Sequence, residues 1–154
     1  KSKKKNLKLH LIGKLQTNKV KIAIKLFDFI HSLDNEKLAK KISDEQKKHK
    51  LETKLFIQVN IGNEPQKNGI HVNKLEEFYN YCIKLNLNIV GIMCIPPINE
   101  DPEVSFLRMN FLKKKMNFKE LSMGMSSDYL DAIQNNSTFL RIGSEIFGKR
   151  SEKL

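Results

Sequence analysis

The chain has 154 residues, 40% of them hydrophobic, and its 28 Lys or Arg against 17 Asp or Glu give a formal net charge of +11. That length fits a single domain over residues 1–154; there is no apolar run of membrane-spanning length and no signal-peptide segment, and Cys82 and Cys94 lack the spacing of a disulfide framework or a zinc site. The two cysteines point to a reducing, cytoplasmic setting with no membrane as partner, and the lysines, spread through every region without a zinc-finger spacing or an aromatic RNA-binding signature, imply no specific nucleic acid.

Short apolar runs then alternate with helical patterns. Residues 7–12 read as a strand carrying His10, 20–27 as a helix, and 29–33 as a strand carrying His31. A strand at 55–61 includes Asn60 and leads into the NEPQKNG turn, where Lys67 stands as a loop cation. Over 74–85, Leu75, Phe78, Tyr79, Cys82 and Ile83 recur at helical spacing, which assigns Cys82 to a core. Residues 89–95 read as a strand with Met93 and Cys94, Pro96-Pro97 and Asp101-Pro102 bracket a loop, 106–116 is a helix, and 119–122 and 138–142 are the last strands. His49 and His71 read as loop positions. Short apolar strands suit a parallel sheet covered on both faces. A barrel of eight βα units needs about 250 residues. Six units can be counted, so the expected fold class is α/β, a partial (β/α)8 TIM-type barrel with parallel strands.

The most informative stretch is 121–150, LSMGMSSDYLDAIQNNSTFLRIGSEIFGKR. A short strand ends at a glycine, and Ser126 and Ser127 follow where a helix would begin. Backbone N–H groups at such a turn favour an anion, and a serine hydroxyl can add a bond to a phosphate oxygen; the same serines could equally cap the helix. After the last strand, Gly143-Ser144 and Gly148 flank an apolar pair, a place where backbone can approach a ligand closely. Arg141 lies inside that strand. A guanidinium cannot shed its charge, so it needs either a structural carboxylate or a ligand atom as acceptor. Only Arg108, Arg141 and Arg150 are arginine in this lysine-rich chain, which suggests that planar geometry matters at position 141.

SMGMS at 122–126, Asp128, Ala132-Ile133 and STFLRIGSEIFGKR at 137–150 resemble the C-terminal signature of the pyridoxal phosphate homeostasis proteins, a family that shares its barrel with the N-terminal domain of alanine racemase. HLIGKLQTNKVK at 10–21, IHSLD at 30–34, IQVNIGNEPQKNGI at 57–70 and GIMCIPP at 91–97 agree in order. The resemblance implies pyridoxal 5′-phosphate as cofactor, with Arg141 at the pyridine nitrogen, Ser126, Gly143 and Ser144 on the phosphate, and Met93 and Asn60 lining the ring pocket. His10 could face the site, without being assigned as acid or base.

The first recognisable motif matches the family's third strand, so the chain is expected to be N-terminally truncated, lacking two βα units and the Schiff-base lysine they carry. Lys67 is then the remaining lysine of interest. No catalytic turnover is expected, since the racemase relatives need a tyrosine from a second domain. The alternatives are a split or non-functional remnant with weak non-covalent phosphate binding, and a racemase-like enzyme. Expected partners, besides the cofactor, are the absent N-terminal units as a separate chain or a second copy of this one.

Overall fold

The computed structural model describes residues 7–148; the Lys3 to Lys5 cluster and the Lys149-Arg150 end of the last motif lie outside the described residues. In chain order the elements are β1 (His10–Leu11), α1 (Val20–Leu26), β2 (Phe29–Leu33), α2 (Glu36–His49), β3 (Lys54–Asn60), β4 (Ile70–His71), α3 (Leu75–Lys84), β5 (Ile89–Met93), α4 (Pro102–Lys115), β6 (Glu120–Met125), α5 (Tyr129–Gln134), β7 (Phe139–Arg141) and α6 (Ser144–Phe147). The strands form one sheet in the order β1-β2-β3-β5-β6-β7, with β4 attached to β3, and every pairing is parallel. This is the partial barrel expected from the sequence.

The two faces of the sheet separate by the period of two that strands impose. Ile30, Leu33, Leu55, Ile57, Val59, Ile92, Leu121 and Met123 point toward the helices and pack with Leu38, Ile42, Leu75, Phe78, Cys82, Phe106 and Met109 in one core. Phe29, Phe56 and Met93 point the other way, into a smaller cluster that includes Phe139. Each such side chain, fully buried, contributes roughly 1.5–3 kcal/mol. The register of β2 against β3 shifts between Ile30 and Leu33, which lets Phe29 and His31 face the interior while Leu33 still reaches the helices.

Several elements depart from the sequence expectation for local reasons. β1 is shorter than 7–12, because Leu9 spends its carbonyl on the Asp28 and Phe29 N–H groups and its own N–H on the Asp28 carboxylate. α2 was not anticipated: Asn35 caps it, accepting from Leu38 N at 2.8 Å, and Lys50 closes it in a left-handed conformation. His49 is therefore the last residue of a helix and His71 lies in β4, neither of them a loop position. Asp101-Pro102 ends the loop as expected and also opens α4, which therefore starts before the expected 106. Proline at the first turn forfeits no hydrogen bond, and Asp101 accepts from Glu103 N at 3.0 Å. β6 continues past 122 to Met125 through Gly124, whose φ of +93° few other residues adopt.

β5 and β6 touch most closely at Gly91, where an added Cβ would land on the Glu120 carbonyl. Gly91→Ala is expected to lower stability by about 1–3 kcal/mol, the usual range for overpacking, read as a lower denaturant midpoint. An unchanged midpoint would show that the two strands have room to part.

Candidate functional site

Two turns meet at the carboxyl ends of β6 and β7. Ser126, just beyond β6, accepts through Oγ from Gly143 N at 3.1 Å and from Glu145 N at 3.3 Å, both in the turn beyond β7. It does not cap the following helix: α5 begins at Tyr129, and Asp128 turns back to accept from Met125 N at 2.6 Å. The Ser126 hydroxyl thus ties the turn beyond β6 to the turn beyond β7 at one point, where backbone N–H groups favour an anion. A Cβ on Gly143 would meet nothing within 4 Å, so the space beside this turn is open to a ligand. Ser144 is exposed at the start of α6.

Arg141 ends β7 and points into the interior. Nη1 donates to Ser122 Oγ at 2.9 Å and Nη2 to the Cys94 carbonyl at 2.8 Å. Among the described residues no carboxylate forms an ion pair with it. Burial holds its pKa below the ordinary guanidinium value, although the group stays charged. Two neutral acceptors account for two of its five N–H groups, which leaves a desolvated cation with unused donors.

Behind Arg141 lies an aromatic box. His10 stacks on Phe29 with ring centroids 4.3 Å apart, and His31 stacks on Phe56 at 4.2 Å. The Phe139 ring lies 5.6 Å from His10 and 5.9 Å from His31. His31 Nδ1 is 2.9 Å from Ser122 Oγ, and its Nε2 is 2.9 Å from His10 Nδ1. Burial pushes His31 down to about 3, the charges of His10 and Arg141 adding to it. Burial also lowers His10, with Asp28 opposing. Both cysteines are buried thiols, raised by desolvation to about 12.

Of the residues singled out from the sequence, Ser126, Arg141, Gly143 and Ser144 come together. Met93 is buried in the interior aromatic cluster, on β5 opposite Ser122 of β6. Asn60 is turned into its own loop: its amide donates to Glu64 O at 2.8 Å and accepts from Glu64 N at 3.1 Å. Lys67, on that loop, gives its ammonium to Pro96 O at 3.0 Å and sits 2.5 Å from the Glu64 carboxylate, so it is a paired cation and not a freely solvated one. Ser122 and the His31–Ser122 bond escaped the sequence reading. Ser122 is a polar residue within a buried strand, the same signal that marked Arg141.

The alanine racemase N-terminal domain model matches residues 2–151. The chain is 37% identical to the pyridoxal phosphate homeostasis protein of Aquifex aeolicus, covering 94% of this chain and 68% of that one. The chain belongs to the pyridoxal phosphate homeostasis family. Its relative from Pasteurella multocida is 35% identical, with 94% and 66% covered, so the chain spans about two thirds of the length of these curated relatives. PipY of Synechococcus elongatus superposes with a TM-score of 0.85 at 32% identity, over 94% of this chain and 72% of PipY, in a structure without PLP. PipY with PLP bound superposes at 0.83 and 31% identity, over 92% and 71%. Alanine racemase of Clostridium difficile shares the fold, with a TM-score of 0.68 at 15% identity over 96% of this chain and 41% of the racemase.

For this member of the homeostasis family, His31 dictates an acid-side sensitivity. The unfolded chain takes up the proton near the ordinary histidine value of about 6.5, the folded chain only near about 3. Stability that is complete above the first value is therefore lost as pH falls toward the second. Denaturant midpoints measured between these limits should fall less steeply in His31→Gln than in the parent; parallel slopes would place the ring in contact with water.

Proposed function

We propose that the chain is a pyridoxal 5′-phosphate binding protein of the cofactor-homeostasis type, a carrier that holds the cofactor without turning over a substrate. The observation that carries this reading is Arg141, a half-buried guanidinium without an ion-paired carboxylate among the described residues, beside a turn whose N–H groups converge on one oxygen. The residues fit the group. Ser126, Gly143 and Ser144 would hold the phosphate and Arg141 would meet the pyridine nitrogen; Met93 belongs to the interior cluster and the Asn60 amide to its own loop, so neither is assigned a contact to the ring. When bound, the cofactor supplies an aldehyde and an electron-withdrawing ring. A permanent cation at the ring nitrogen disfavours its protonation and weakens the ring as an electron sink, which suits storage better than turnover. The names of the relatives and the loaded form of PipY support the ligand.

The hold proposed here is non-covalent. Lys67 follows β3 onto the same face, but a paired ammonium is a poor nucleophile. On this reading the 154 residues correspond to the last six βα units of a longer barrel, working in the cytoplasm, and the anchoring lysine belongs to units outside them. Equilibrium dialysis with pyridoxal phosphate should show Arg141→Ala and Ser126→Ala each binding roughly tenfold more weakly, the worth of a charge-assisted hydrogen bond. Unchanged affinity would remove the site. Borohydride treatment of the loaded chain should leave no lysine labelled stoichiometrically, and full labelling of one peptide would replace the non-covalent hold with a covalent one.

The open edges favour a complement. Ile22 and Leu26 are exposed beside β1, and Leu130, Ile133, Ile146 and Phe147 are exposed beside β7. Among the described residues the outer edges of β1 and β7 have no strand partner, and such edges flanked by apolar side chains invite pairing with absent units or with a second copy. In sedimentation and thermal scans the isolated chain should self-associate or melt broadly. A strictly monomeric, sharply melting species would count against the need for a complement.

A further inference from the structure

Four side chains on four strands are joined end to end across the interior of the sheet. Arg141 on β7 donates to Ser122 on β6, Ser122 meets Nδ1 of His31 on β2, and Nε2 of His31 meets Nδ1 of His10 on β1, each step at 2.9 Å. The stacked rings of Phe29 and Phe56 hold both imidazoles at fixed angles, 4° and 14° between planes.

Proton counting gives this chain a direction. Arginine only donates, so Ser122 Oγ receives. The remaining polar partner of that hydroxyl among the described side chains is Nδ1 of His31, which must then accept. His31 accordingly carries its proton on Nε2 and donates it to His10 Nδ1, leaving the His10 proton on Nε2. Neutrality of His31, which this arrangement requires, is what its burial enforces.

We propose that Ser122, His31 and His10 are positioning residues for Arg141: one hydrogen-bonded chain aims the guanidinium at the bound cofactor and couples that grip to the charge on His10. The proposal rests on the reading of Arg141 as the partner of the ring nitrogen. When His10 takes a proton from water, both its ring nitrogens become donors. His31 must then accept at Nε2 and carry its single proton on Nδ1, with no net change of its own. Ser122 Oγ now faces two donors, and its own proton loses its acceptor. The interior also gains a second positive charge in line with Arg141. Low pH therefore loosens the guanidinium from behind.

The groups that face this switch are few. His10 faces His31 and Asp28, and Asp28 is itself paired with Lys8 at 3.0 Å. Lys54 lies over the Phe29 ring on which His10 stacks. His31 faces His10, Ser122 and the charge of Arg141, and Arg141 in turn faces the Cys94 thiol and the Asp128 carboxylate.

Two measurements test the chain. Nitrogen-15 NMR of the unliganded protein near neutral pH should show His31 and His10 both protonated at Nε2 and bare at Nδ1; the opposite tautomer at His31 would overturn the proposal without reference to any ligand. Dialysis with pyridoxal phosphate should show Ser122→Ala binding about tenfold more weakly, as for loss of one charge-assisted bond, while Ser122→Thr keeps the hydroxyl and restores binding. As pH falls below about 6.5, the ordinary histidine value beneath which burial holds His10, the parent should lose affinity relative to His10→Gln, any titration of the cofactor itself being common to both. Parent-like binding in Ser122→Ala, or superimposable pH profiles, would overturn the coupling while leaving the site intact. Absence of binding in the parent, or an Arg141→Ala variant that binds as well, would instead bring down the cofactor reading and this proposal with it.

Discussion

A positive charge that cannot be neutralised sits against the interior of the sheet with no carboxylate paired to it among the described residues, Asp128 acting on it only from beyond ion-pair distance, and much of the interior follows from that constraint. Desolvating a guanidinium without any partner would cost several kcal/mol, roughly the penalty for a buried unpaired ion. Neutral acceptors therefore have to be delivered to fixed places. One is the Cys94 carbonyl, available because β5 ends at Met93 while the Cys94 N–H is still held by the Ser122 carbonyl at 3.2 Å. The other is the Ser122 hydroxyl, carried in by a strand whose neighbours Leu121 and Met123 face the helices.

The same constraint shapes the opposite wall. β2 meets β6 through the interior although two strands separate them in the sheet, so the sheet must curl enough to bring His31 to Ser122. The register shift in β2 and the stacking on Phe29 and Phe56 are the local means of doing this. A carboxylate in place of His31 would have paired with Arg141 and consumed its charge. A neutral imidazole leaves that charge for whatever enters from the open side.

Much of this architecture was visible in the sequence, because apolar strands and a helical stripe such as Leu75, Phe78 and Cys82 carry their own periods. Arg141 was conspicuous as a charge in an apolar run, and the two glycine turns were conspicuous as breaks. The parts that were not legible depend on contacts between distant segments. Ser126 could have been a helix cap on local grounds, and only the approach of Gly143 and Glu145 decides otherwise. His31 and Ser122 are separated by 91 positions, and no local pattern links them. Asn60 looked like a pocket residue, yet its amide is needed to close the loop that follows. α2 and the start of α4 were missed for a simpler reason, since Asn35 and Asp101-Pro102 were signals for a helix start that the apolar pattern alone did not show.

The Ser126 hydroxyl has a consequence for preorganisation. Because it already satisfies the Gly143 and Glu145 N–H groups, the turn keeps its hydrogen bonds with nothing bound. An anion arriving beside it would meet a segment already in place, so the entropy of fixing that turn belongs to folding and not to binding.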